Sequence, residues 1–105
     1  MRHCLVLTNC PDFDCAETLA SALVDNSLAA CVNIVPGVTS IYQWQGERVK
    51  EQECTLLIKT REDIYPELEA FIQAQHPYEL PEIIAVPVHM GSKGYLSWLD
   101  QQLDK

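Results

Sequence analysis

Hydrophobic positions along the chain change period several times, and each change marks an element. His3 to Thr8 is a short apolar run, which predicts a buried strand. Asn9-Cys10-Pro11-Asp12 breaks it. Asp14 followed by Glu17 reads as a variant capping box, with the Asp carboxylate as the N-cap acceptor. Ala16, Leu19, Ala20, Leu23 and Val24 then recur at helical spacing, and Asn26 is the expected stop. Leu28 to Gln45 is long and rich in β-branched and aromatic residues, which predicts a strand, with Pro36-Gly37 as a bend or bulge inside it. Gln45-Gly46-Glu47 reads as a hairpin turn and Val49 to Lys59 as the return strand. On that strand Cys54, Leu56 and Ile58 share one face, while Glu53, Thr55, Leu57 and Lys59 share the other.

A second helix carries Ile64, Leu68, Phe71 and Ile72 on one side. Thr60 with Asp63 is its expected cap, and Pro66 its expected first regular residue, because proline is tolerated there and not in a helix interior. His76-Pro77 ends it. Ile83 to Val88 reads as a last strand, and Pro87 assigns it to a sheet edge or a strand end. Ser92 to Leu103 predicts a C-terminal helix with Tyr95, Trp98, Leu99 and Leu103 on its apolar side. The order is β-α-β-β-α-β plus a helix. That is an α+β chain of the ferredoxin-like sandwich type with one long hairpin, and residues 1–105 read as a single domain.

The same pattern predicts self-association. Two main helices cover one face of a four-stranded sheet, yet the hairpin strands are apolar on both faces, with Val35, Val38 and Leu57 opposing Ile34, Ile41, Leu56 and Ile58. Eighteen extended residues also span roughly 55–60 Å, against a radius of gyration of about 13 Å for a domain this size. The hairpin must bend hard or project as an arm, and a projecting arm needs a receiving neighbour.

Composition narrows the partners. The net charge of −8 argues against nucleic acid and anionic membranes, since both select for Lys and Arg clusters. No apolar stretch approaches a membrane span. The five cysteines, Cys4, Cys10, Cys15, Cys31 and Cys54, are odd in number and contain no CxxC pair. With no secretory leader pattern, they predict a cytoplasmic protein with free thiols.

Two segments carry more specific information. One runs Ala29-Ala30-Cys31-Val32-Asn33-Ile34-Val35-Pro36-Gly37-Val38-Thr39-Ser40-Ile41-Tyr42-Gln43-Trp44-Gln45-Gly46-Glu47, and the other His76-Pro77-Tyr78-Glu79-Leu80-Pro81-Glu82-Ile83-Ile84-Ala85-Val86-Pro87-Val88. With Lys59-Thr60 and Tyr95-Leu96-Ser97-Trp98-Leu99, they closely resemble the CutA family of divalent-cation tolerance proteins over nearly the whole chain. The resemblance implies a homotrimer with clefts between subunits, and an association with copper or other divalent metal ions. It also implies that the Tyr-x-Trp, Lys-Thr and His-Pro-Tyr-Glu-x-Pro-Glu positions gather near a cleft. Tyr42, Trp44, Glu53, Lys59, Tyr78, Glu79 and Glu82 are the expected cleft residues.

His76 is the leading metal candidate, because imidazole suits several transition metals and Glu79 and Glu82 follow it. The bland alternative is a histidine capping a helix C-terminus. Copper-binding relatives can carry a cysteine at the position of Thr8 and a histidine at that of Gln75; here Cys10, two residues beyond Thr8, is the expected substitute ligand if the strand persists. Cys31 and Cys54 read as core residues. Tyr42 and Trp44 read as interface packing or a cleft wall.

The chain is not expected to be an enzyme. The ferredoxin-like plan also hosts acylphosphatases, which need an arginine and a Gly-rich anion cradle after the first strand; Thr8-Asn9-Cys10-Pro11-Asp12 offers neither. The competing expectation is a trimer that senses a small molecule in the manner of the similarly folded PII proteins, or that anchors another protein, without a tight metal site.

Overall fold

The computed structural model describes residues 2–105. The elements are β1 (His3–Cys10), α1 (Phe13–Asp25), β2 (Cys31–Trp44), β3 (Glu47–Arg61), α2 (Tyr65–Gln75), β4 (Ile84–Pro87) and α3 (Lys93–Leu103). They form an α+β fold with one four-stranded sheet in the order β2-β3-β1-β4, and every neighbouring pair is antiparallel.

Alternation along the strands separates the two faces of the sheet. Val6, Thr8 and Cys10 of β1, and Leu56 and Ile58 of β3, are buried beneath the helices. Ala16, Leu19 and Leu23 of α1, with Leu68 and Ile72 of α2, complete that core. The hairpin follows from its turn. Gln45 and Gly46 both have positive φ, 51° and 83°, as a two-residue turn matched to strand twist requires. The register shifts between Val35 and Val38, so Pro36-Gly37 is a bulge, and Gly37 supplies the positive φ of 71° that the bulge needs. Beyond the bulge the two strands continue as an arm in which no residue from Pro36 to Gln52 is buried. The molecule measures 45 × 25 × 23 Å.

Several boundaries differ from the sequence reading. β1 runs on to Cys10, so the break falls at Pro11. Asp12, not Asp14, caps α1: its Oδ1 accepts from the Cys15 N–H at 2.8 Å, because the chain turns immediately after Pro11. α2 has no side-chain cap. Ile64 holds the N-cap position and Tyr65 precedes Pro66 in the helix. The expected cap residues are engaged elsewhere: the Thr60 hydroxyl donates to the Leu28 carbonyl at 2.8 Å, and Asp63 pairs with Arg61. β4 is shorter than expected but lies at the sheet edge, as Pro87 required.

The sheet face opposite α1 and α2 is covered only at one end. There Leu99 and Leu103 of α3 pack with Ala30. Arg61, 8% exposed, gathers Asp63, Asp100 and Asp104 at 3.0, 3.3 and 2.8 Å, and His3 reaches Asp100 at 2.9 Å. The His3 hydrogen bond first, then Arg61, holds the Asp100 carboxyl below its ordinary range. Arg61→Met is expected to lower stability by about 1–3 kcal/mol in urea unfolding, since its charge-assisted hydrogen bonds to three aspartates go while the half-exposed carboxylates rehydrate. A loss under about 0.5 kcal/mol, the scale of an ordinary surface change, would contradict this role for Arg61.

Candidate functional site: an aromatic and carboxylate cleft

The arm, the end of β1 and the loop after α2 enclose a cleft of about 920 Å³. Each wall follows from the fold. Strand alternation puts Tyr42 and Trp44 of β2 on one face, and Glu51 and Glu53 of β3 beside them through the hairpin register. α2 ends at Gln75, and Pro77-Tyr78-Glu79-Leu80-Pro81-Glu82 crosses the top of the cleft without regular structure. Pro77 and Pro81 suit such a path, because neither can continue a helix.

His76 ties this loop to the sheet. It is 8% exposed, and its Nε2 lies 2.6 Å from the Asn9 carbonyl oxygen. Its Nδ1 accepts the Tyr78 N–H at 3.0 Å. That pattern puts the proton on Nε2, so Nε2 donates to Asn9 and Nδ1 has no free lone pair. The Tyr78 ring leans on the imidazole with centroids 4.7 Å apart. The Tyr78 hydroxyl then donates to Glu53 Oε2 at 2.8 Å, and burial followed by the Glu53 carboxylate pushes the phenol up from its ordinary range. Tyr42 is raised as well, by desolvation first and then by the Glu51 and Glu53 carboxylates. The cleft therefore carries one phenol–carboxylate hydrogen bond, Tyr78 to Glu53, with Tyr42 and Glu51 on the same walls.

Six of the seven expected cleft residues line this one cavity: Tyr42, Trp44, Glu53, Tyr78, Glu79 and Glu82. Lys59 does not. It shares a sheet face with Glu53, but it lies far along β3, where its Nζ contacts Asn33 Oδ1 and Cys31 Sγ. Six residues of extended strand separate the two by about 20 Å; Lys59 was expected there because the resemblance implied a cleft between subunits. Glu51 was missed, although it stands two residues before Glu53 and the same alternation puts it on the same face. Asn9 was also missed, because its place in the cleft depends on the His76 contact, which is long-range.

The expected His76 and Cys10 metal pair meets two obstacles. Both His76 ring nitrogens are engaged, so a metal there displaces a hydrogen bond. Cys10 is fully buried, and burial followed by contact with Cys15 pushes its thiol up to about 12, far from the thiolate a metal requires. Thr8, where copper-binding relatives can have cysteine, is fully buried, and its Oγ1 has no partner. No group of three or more His, Cys, Asp or Glu side chains is arranged to hold a metal among the described residues. The His76 and Cys10 residues, as placed, do not fit a copper ion.

An α+β protein with this sheet order, a projecting hairpin and an acidic, aromatic cleft at its base is the class the structure defines. The family model described as "CutA1 divalent ion tolerance protein" matches residues 4–102, and the chain belongs to that family. The chain is 53% identical over 95 residues to the divalent-cation tolerance protein CutA of Thermus thermophilus, covering 90% of this chain and 92% of that one. It is 44% identical over 92 residues to protein CutA of Mus musculus, covering 88% of this chain but only 52% of that longer relative. The solved structure of the periplasmic divalent cation tolerance protein CutA from Archaeoglobus fulgidus superposes with a TM-score of 0.93 at 34% identity, over 96% of this chain and 98% of that one. No described helix is long and apolar enough to cross a membrane.

Proposed function

We propose that the chain acts in divalent-cation tolerance as a cytoplasmic homotrimer of ferredoxin-like subunits, and that its working site is the aromatic and carboxylate cleft. The observation that carries this reading is Glu53. It is 6% exposed and lines the cleft, and its partner there is the Tyr78 phenol rather than a cation. A carboxylate removed from water without a counter-charge is costly, and a bound cation relieves that cost. Glu51, Glu79 and Glu82 stand on the same walls. Carboxylate oxygens suit hard divalent ions more than copper, which prefers imidazole and thiolate donors. Reversible binding of divalent ions is therefore the first expectation, with a second subunit completing the coordination.

Equilibrium dialysis against Mn(II) and Zn(II), with a competing chelator, tests the assignment. Glu53→Gln keeps an oxygen for Tyr78 and removes the charge. It is expected to weaken divalent binding at least ~10-fold, about 1.4 kcal/mol, while Cys10→Ala leaves binding unchanged. Equal binding by parent and Glu53→Gln would remove the cleft as the metal site.

A second reading has its own observation. The cleft is far larger than an ion needs, and Tyr42, Trp44 and Tyr78 offer three aromatic faces. Such walls suit a small organic effector that carries positive charge, held by cation–π contact and by the same carboxylates. Displacement of bound Mn(II) by an aromatic or quaternary amine would favour this reading.

A further inference from the structure

Three of the five cysteines meet where β1 runs into α1. Cys10 ends β1 and is fully buried. Cys54 stands directly opposite it in the register of β3 and is also buried. Cys15, in the first turn of α1, packs against the same core, near enough to Cys10 to help raise its thiol. Cys15 is half-buried rather than enclosed, and with Thr18, Gln75 and His76 it lines a separate cavity of about 270 Å³. One thiol thus borders a small cavity, and a second lies buried in the core against which the first packs.

The other cysteines lack this arrangement. Cys4 pairs with Thr60 on one side and Pro87 on the other. Cys31 pairs with Lys59, whose Nζ lies 3.9 Å from its sulfur. Neither has a thiol across the ladder.

We propose that Cys15 and Cys10 form a peroxide-sensitive dithiol, a modification site at the head of α1 with Cys15 as the attacking sulfur and Cys10 as the resolving one. The Cys15 thiol loses its proton, and its sulfur attacks one oxygen of hydrogen peroxide. The O–O bond breaks, a sulfenic acid forms, and the departing hydroxide becomes water by taking up a proton. The Cys10 sulfur then attacks the sulfenic sulfur. The S–O bond breaks, the S–S bond forms, and the Cys10 proton leaves with the hydroxide as a second water. Two electrons pass from the two thiols to peroxide. Cys10 is fully buried while Cys15 lines the cavity, so the oxidant meets Cys15 first. A peroxide molecule is little larger than water and enters a cavity of this size freely.

The consequence reaches the cleft. Cys10 is bonded to Asn9, whose carbonyl holds His76, and His76 orders Tyr78 above Glu53. Closing the disulfide pulls on the first link of that chain.

Reduced full-length protein, held with a chelator to exclude metal, is treated with stoichiometric hydrogen peroxide, and the remaining thiols are alkylated in denaturant. Cleavage before Asp12 and Asp14 separates Cys10 from Cys15. The expected result is loss of two of the five alkylatable thiols, a Cys10–Cys15 linked peptide, and its release by a thiol reductant. In Cys10→Ala, Cys15 is expected to stop at the sulfenic acid and be trapped by dimedone. A Cys10–Cys54 link with Cys15 still free would overturn the proposal. So would oxidation of Cys31 while Cys10 and Cys15 stay reduced, or no thiol loss at all. If Cys10→Ala does not fold, the peptide map of the parent decides alone.

Discussion

Leu57→Asp is expected to turn the proposed homotrimer into monomers. Leu57 sits in the middle of the sheet face that the helices leave open, paired with Leu7 on one side and Asn33 on the other. Leu5 and Leu7 share that face, as do Val35 at 41%, Ile84 at 51% and Val86 at 47% exposure. So many adjacent apolar residues do not stay in water on a stable monomer. A carboxylate at the centre must be desolvated when subunits close over it, and Lys59, the neighbouring cation on this face, is already engaged by Asn33. Association is expected to weaken at least ~100-fold, about 3 kcal/mol, with the helical and strand signals of the subunit kept, because Leu57 faces away from the core. Light scattering after size exclusion checks this. A Leu57→Asp variant that keeps the parent's mass at the same concentration would mean that this face is not the interface.

His76→Ala is the second large effect, and it is expected in protein stripped of metal. The imidazole satisfies the Asn9 carbonyl and the Tyr78 N–H at a site with little access to water. Removing it strands both groups and loosens the loop that carries Tyr78, Glu79 and Glu82. The expected cost is about 2–4 kcal/mol, two hydrogen bonds plus the desolvation of groups left unpaired. Urea unfolding in chelator measures it. Unchanged stability in chelator, together with a large loss in the presence of copper, would make His76 a metal ligand and reverse its assignment.

Much of the fold was legible because it rests on local periodicity. The stripe Ala16-Leu19-Leu23, the alternation of Cys54, Leu56 and Ile58, and the Gly46 turn each announce their element within a few residues. What local pattern could not reach was set by partners distant in sequence. Thr60 suggested a helix cap by its position, but the Leu28 carbonyl claims its hydroxyl. Lys59 matched Glu53 in parity but not in distance along the strand. His76 read as a ligand by type, and only the fold shows that a β1 carbonyl and a neighbouring amide already occupy both nitrogens. Composition marks which side chains can do chemistry. It does not show which of them the backbone has already engaged.

Native mass spectrometry of the reduced protein, first in chelator and then with limiting Mn(II) or Zn(II), tests the central claim most directly. The account predicts three chains of 11.9 kDa in one assembly, with a fixed divalent load that Glu53→Gln loses and Cys10→Ala keeps. A monomer in chelator, or a trimer whose metal load depends on Cys10 and not on Glu53, would contradict it.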